Sequence, residues 1–142
     1  MEWSSFAWEG SQKEVLYVPV KLEFSEATYW LQLDTGSNRT LIYEVRLRQL
    51  LGQTKEFPSK DIILNGEIGN YRFTNVRFRV KKNYGSQGLS FEKYNEIGTL
   101  GLDFFKEKIL AVDYPHERFC TCNSLAKLPE ELVKKPSSQK FE

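Results

Sequence analysis

The sequence predicts a mostly β domain with one or two short helices. Three observations predict it. Short apolar stretches alternate residue by residue with polar ones, the period of a strand with one buried face and one wet face. Turn chemistry punctuates these stretches, most clearly at Asn65-Gly66. Aromatic residues make up 14% of the chain, and aromatic side chains favour sheets. A length of 142 residues is one domain's worth, with room for one core.

Composition excludes few function classes but weakens several. Lys and Arg number 20 against 19 Asp and Glu, so bulk charge gives no argument for nucleic acid or an anionic membrane as partner. No apolar run approaches the ~20 residues of a membrane helix, so no membrane segment is expected. Met1-Glu2-Trp3-Ser4-Ser5 lacks a basic stretch followed by an apolar one, so no secretory signal is expected in this chain. A cytoplasmic location fits, and a secreted or periplasmic one stays open if a leader has been trimmed. Cys120 and Cys122 are one residue apart, too close to staple the fold. With a single histidine they are also too few for a closed zinc site. Two free thiols at a domain edge are expected, with pairing to cysteines outside this chain as the alternative.

Residues 1–14 form a lead-in, in which Trp3, Phe6 and Trp8 suit an edge strand. Residues 15–120 form the domain proper, and 121–142 a tail or linker. Val18, Val20, Leu22 and Phe24 alternate with Pro19, Lys21, Glu23 and Ser25, a half-buried strand. Pro19 lacks a backbone N–H and predicts an edge or bulge. Ser25-Glu26-Ala27 turns the chain into a strand over Thr28–Leu33. Thr40-Leu41-Ile42-Tyr43 is a short apolar strand. Glu44–Leu51 reads as a two-turn helix capped by Gly52, with Arg46 and Arg48 on a solvated face.

Gln53–Lys60 is loop, and Asp61–Leu64 is a strand. Asn65-Gly66 predicts a hairpin turn, with Ile68–Phe73 returning. A second turn at Thr74-Asn75 leads to Val76, Phe78 and Val80, completing a three-stranded meander. Arg77, Arg79, Lys81 and Lys82 fit the solvent face of that sheet, and an anion-binding strand is the sharper alternative. Asn83–Glu96 is a long polar loop, either a cleft wall or an insertion. A short helix starts at Phe104–Lys108, and Ile109–Tyr114 is a closing strand. Pro115–Phe119 turns into a last short strand, with His116 a surface turn residue. Leu125–Lys135 suits a short helix, and 136–140 is linker-like.

The chemistry concentrates in Leu31-Gln32-Leu33-Asp34-Thr35-Gly36-Ser37. A strand runs straight into a carboxylate at its end, where neighbouring donors and a permissive glycine hold the group in place. This stretch resembles the Asp-Thr-Gly active-site loop of the aspartic proteases, both retropepsin-like and pepsin-like. Thr99-Leu100-Gly101, with Gly101 67 residues after Asp34, resembles the family's second signature of two apolar residues and a glycine. Thr99 departs from the usual aliphatic residue. The resemblance covers roughly Val15–Phe119.

The resemblance implies a closed barrel lobe of the acid-protease kind and an aspartic endopeptidase acting on an extended peptide or protein. Asp34 would be catalytic, and Thr35, Gly36 and Ser37 would support the loop, with no metal or organic cofactor. The hairpin of Asn65, Gly66, Glu67, Ile68 and Gly69 resembles the flap that closes over substrate, with a plain surface hairpin as the alternative. Tyr71 would stand for the flap tyrosine, with Tyr84 as its rival. Only one Asp-Thr-Gly is present, and neither Asp103 nor Asp113 is followed by Thr/Ser-Gly. A second Asp must therefore be imported, from a homodimer mate or from a second lobe. Ser37 is closer to the pepsin-like form of the loop. The rival function is an inactive lobe that binds peptides or proteins through the same groove.

Overall fold

The computed structural model describes residues 3–9, 15–82, 95–124, 126 and 129–133. Its strands are β1 (Ser4–Ser5), β2 (Ala7–Glu9), β3 (Val15–Leu22), β4 (Tyr29–Leu33), β5 (Leu41–Tyr43), β6 (Asp61–Ile68), β7 (Tyr71–Lys81), β8 (Glu96–Leu100), β9 (Ile109–Asp113) and β10 (Arg118–Cys122). Helix α1 spans Glu44–Leu51, a 3-10 turn spans Leu102–Phe105, and α2 spans Glu130–Val133. No described helix is long and apolar enough to cross a membrane.

Six strands close a barrel in the order β3-β4-β8-β5-β7-β6, with β6 returning to β3. The barrel is built twice over. β3–β4 and β6–β7 are antiparallel hairpins, and each is followed by a third strand, β5 or β8. Each third strand runs parallel to the second strand of the opposite half: β8 along β4, β5 along β7. The two third strands pair with each other, and β3 pairs with β6. This exchange interlocks the halves around one core of Val18, Val20, Leu31, Ile42, Leu47, Ile68, Phe78, Ile97 and Leu100. The lead-in adds β2 to the edge of β3, and β1 joins β10 and β9 in a second sheet. Trp3 Nε1 donates to Glu131 at 2.5 Å and the Arg118 guanidinium lies 4.3 Å from the Trp3 ring, tying both ends of the described chain together.

Several expectations hold. Helix α1 ends at Gly52 in the left-handed region, whose N–H reaches the Arg48 and Gln49 carbonyls. Pro19 corrects the expectation of an edge or bulge: it sits inside β3, which is paired on both sides, yet its missing donor costs no ladder bond. It falls where β2, paired to Val15–Tyr17, hands over to β6, paired to Val20–Leu22. Its carbonyl accepts the Gly69 N–H at 3.0 Å on that same edge. Both thiols are free and buried on β10.

The meander is corrected. Asn65-Gly66 is not a turn: β6 runs through it to Ile68, and the chain reverses at Gly69-Asn70. β7 likewise runs through Thr74-Asn75. The physical reason lies across the sheet. A Cβ at Gly66 would collide with the Lys21 carbonyl and the Phe73 ring, so glycine serves a close strand approach here. Asn65 Oδ1 accepts the Asn75 N–H at 2.7 Å, and Asn75 takes the left-handed φ of 54°. The result is an irregularity between Leu64 and Gly66 in place of two turns. Most of the 83–96 loop, including Tyr84, and most of the 121–142 tail lie outside the described residues.

Candidate active site

Asp34 follows directly on β4, and the loop from Asp34 to Thr40 joins β4 to β5. β8 lies between those two strands, so the loop must cross over the end of β8. Three bonds lace it there. Asp34 N–H donates to the Leu100 carbonyl at 3.0 Å, and Leu102 N–H donates to the Ser37 carbonyl at 2.8 Å. Gly101 N–H donates to Thr40 Oγ1 at 3.1 Å. Gly101 is tightly enclosed: a Cβ would strike the Arg39 carbonyl and lie 2.9 Å from the Ser37 carbonyl oxygen. Thr99 and Leu100 are buried, at 8% and 1% exposure, and Leu100 belongs to the core. The residues Thr99, Leu100 and Gly101 thus form the floor beneath the Asp34 loop.

Within the loop, Asp34 Oδ1 accepts the Gly36 N–H at 2.9 Å, and Ser37 N–H donates to the Asp34 carbonyl at 3.1 Å. Ser37 Oγ donates to the Arg39 carbonyl at 2.9 Å. Asp34 is half-buried, while Thr35 and Gly36 are exposed at the tip. The outcome is a carboxylate fixed at the barrel's end by a backbone donor, with its neighbours turned to the outside. One of its oxygens is held by the Gly36 N–H.

Two residues without a role in the sequence reading complete the support. Thr40 is 1% exposed, and its hydroxyl donates to Asp103 Oδ1 at 2.6 Å while accepting from Gly101. The available signal was spacing: a hydroxyl closes the first loop, and a carboxylate stands two residues after Gly101.

The flap candidates lie elsewhere. Gly66, Glu67 and Ile68 are bonded on both edges, to Leu22, Lys21 and Val20 on one side and to Phe73, Arg72 and Tyr71 on the other. Gly69 packs on Ser4, and Asn70 N–H donates to Ser4 Oγ at 2.9 Å. Tyr71 OH pairs with Asn123 Oδ1 at 2.9 Å. Asn65 to Gly69 and Tyr71 therefore stand in the barrel wall and its anchored tip, and Asn65–Ile68 lacks the free edge that a swinging flap needs. His116 is an exposed turn residue 2.9 Å from Asp113 Oδ2. Arg118 holds the Asp113 carboxyl below its ordinary range, and His116 adds to that. Among the described residues no group of three His, Cys, Asp or Glu side chains is placed to hold a metal ion.

Neither family models nor curated protein sequences match this chain. Solved structures do. A retropepsin-like aspartic protease from Rickettsia conorii superposes with a TM-score of 0.52 at 14% identity, covering 83% of this chain and 85% of that one. At that identity the likeness shows the fold: the barrel is retropepsin-like.

Proposed function

We propose that this chain is an aspartic endopeptidase whose site is completed by Asp34 of a second copy. The observation that supports this best is the lacing of the Asp34 loop across the end of β8. It holds one carboxylate at the edge of the barrel and leaves Thr35 and Gly36 exposed beside it. A twofold axis at that tip would bring two such carboxylates together.

The chemistry follows from the pair. Two carboxylates a few Å apart do not both ionise, so they share one proton. The ionised Asp34 takes a proton from water as the water oxygen attacks the peptide carbonyl carbon. The protonated Asp34 gives its proton to the carbonyl oxygen. As the tetrahedral adduct collapses, the first Asp34 passes its proton to the nitrogen, the second takes one back from a hydroxyl, and the C–N bond breaks to release the amine. Thr35 would brace the two loops through its hydroxyl, and Gly36 would let substrate backbone approach.

Asp34→Asn tests the assignment. Cleavage of a peptide library by the wild type should be lost in the variant, with its circular dichroism unchanged. Cleavage that survives the substitution refutes the role of Asp34.

A further inference from the structure

The basic run on β7 and just past its end divides once partners are known. Arg79 Nε is paired with Asp61 at 3.1 Å, and Lys82 Nζ with Glu56 at 2.7 Å and with Glu44 at 3.6 Å. Those two cations serve the fold. Arg77 is exposed, and no described side chain pairs with it. It lines a cavity of about 270 Å³ together with Val76, Asp103, Phe104 and Lys108. The Lys108 ammonium lies 5.1 Å from the centre of the Phe104 ring, a contact that orients the cation without neutralising it. Asp103 is the one carboxylate in the lining, and its Oδ1 is already engaged by Thr40. Two cations against one committed anion leave the cavity net positive. Directly across from Arg77 on β6 stands Ile63, 51% exposed, which places an apolar side chain on the same face of the sheet beside the guanidinium.

We infer that this cavity is a binding site for the carboxylate of an acidic peptide side chain, with an adjacent apolar residue resting on Ile63. The Arg77 guanidinium offers a planar fork matched to a carboxylate, and Lys108 adds a point charge from the same lining. Phe104 and Val76 lower the local dielectric, which strengthens both contacts. A compact inorganic anion shares the charge but gains nothing from Ile63. The cavity meets the Asp34 loop at the Thr40–Asp103 bond, but carboxylate binding there does not depend on the peptidase reading.

The test is a titration of the ¹⁵N-labelled full chain carrying Asp34→Asn, which prevents turnover of the ligand. Three probes are compared at fixed ionic strength: N-acetyl-Glu-Leu-amide, N-acetyl-Gln-Leu-amide and inorganic phosphate. The Glu peptide should shift the Arg77 side-chain and Lys108 amide resonances saturably, at least tenfold more tightly than the Gln peptide. Arg77→Gln and Lys108→Gln should each weaken it about fivefold, and Lys108→Arg should retain it. Equal affinity for the Glu and Gln peptides overturns the inference, as does full affinity in the Arg77→Gln/Lys108→Gln double variant. Phosphate that binds more tightly than the Glu peptide and displaces it overturns the peptide ligand.

Discussion

Thr40 Oγ1 lies 2.6 Å from Asp103 Oδ1, across the gap between the loop that carries Asp34 and the turn that follows Gly101. The same oxygen accepts the Gly101 N–H. One buried hydroxyl therefore ties the first signature to the second, through a donor bond to one element and an acceptor bond to the next.

Thr40→Val keeps the shape and removes both bonds. It withdraws the acceptor from a buried backbone N–H, which costs about 1–3 kcal/mol. Urea denaturation should show that loss, while Thr40→Ser should stay within about 1 kcal/mol of the wild type.

Glycines separate by cause. A Cβ at Gly98 would collide with the Leu41 carbonyl of the neighbouring strand, and at Gly101 with the Arg39 carbonyl. Gly98→Ala and Gly101→Ala should each destabilise severely or yield insoluble protein, because backbone must move to make room. Gly52 has open space around its missing Cβ and a φ of 66°. Gly52→Ala should cost only about 1 kcal/mol of left-handed strain. Thermal melts of the three variants check the ordering.

Glu96 is 4% exposed and accepts from Tyr17 OH at 3.0 Å and Tyr43 OH at 2.7 Å. It bridges β3 and β5 across β8. Glu96→Gln keeps an acceptor oxygen and should be tolerated better than Glu96→Leu, which removes the acceptor of both hydroxyls. A loss of about 3 kcal/mol is expected for the leucine variant by chemical denaturation.

Burial, and then the neighbouring Cys122, push the Cys120 thiol above its ordinary pKa. Little thiolate forms at neutral pH, and both cysteines are 2% exposed or less. Iodoacetamide at pH 7.5 should leave the folded chain unmodified over minutes and label both residues in guanidinium. Rapid native labelling would show that β10 is not packed as described.

Much of this was legible in the sequence, for physical reasons. Strand alternation, the αL cap at Gly52 and the strand-to-carboxylate stretch at Asp34 are local signals, written within a few residues. Asn65-Gly66 misled because the same dipeptide that suits a tight turn also suits a tight strand crossing. Lys21 and Phe73, which demand the glycine, are distant in sequence. Thr40 and Asp103 were missed for a related reason. Each is unremarkable alone, and only the passage of β8 between β4 and β5 brings them together. Arg79 and Lys82 looked like neighbours of Arg77 in one charged face, and their acidic partners lie on other elements.

The central claim is that two copies of Asp34 make one catalytic site. The most direct measurement is the rate of peptide-library cleavage per chain across a wide range of protein concentration. The account predicts that specific activity rises with concentration and then levels off as the pair forms. Added Asp34→Asn chains should suppress it by capturing wild-type chains in dead pairs. A specific activity independent of concentration and untouched by the added variant would contradict a shared site, and so would a stable dimer that cleaves nothing.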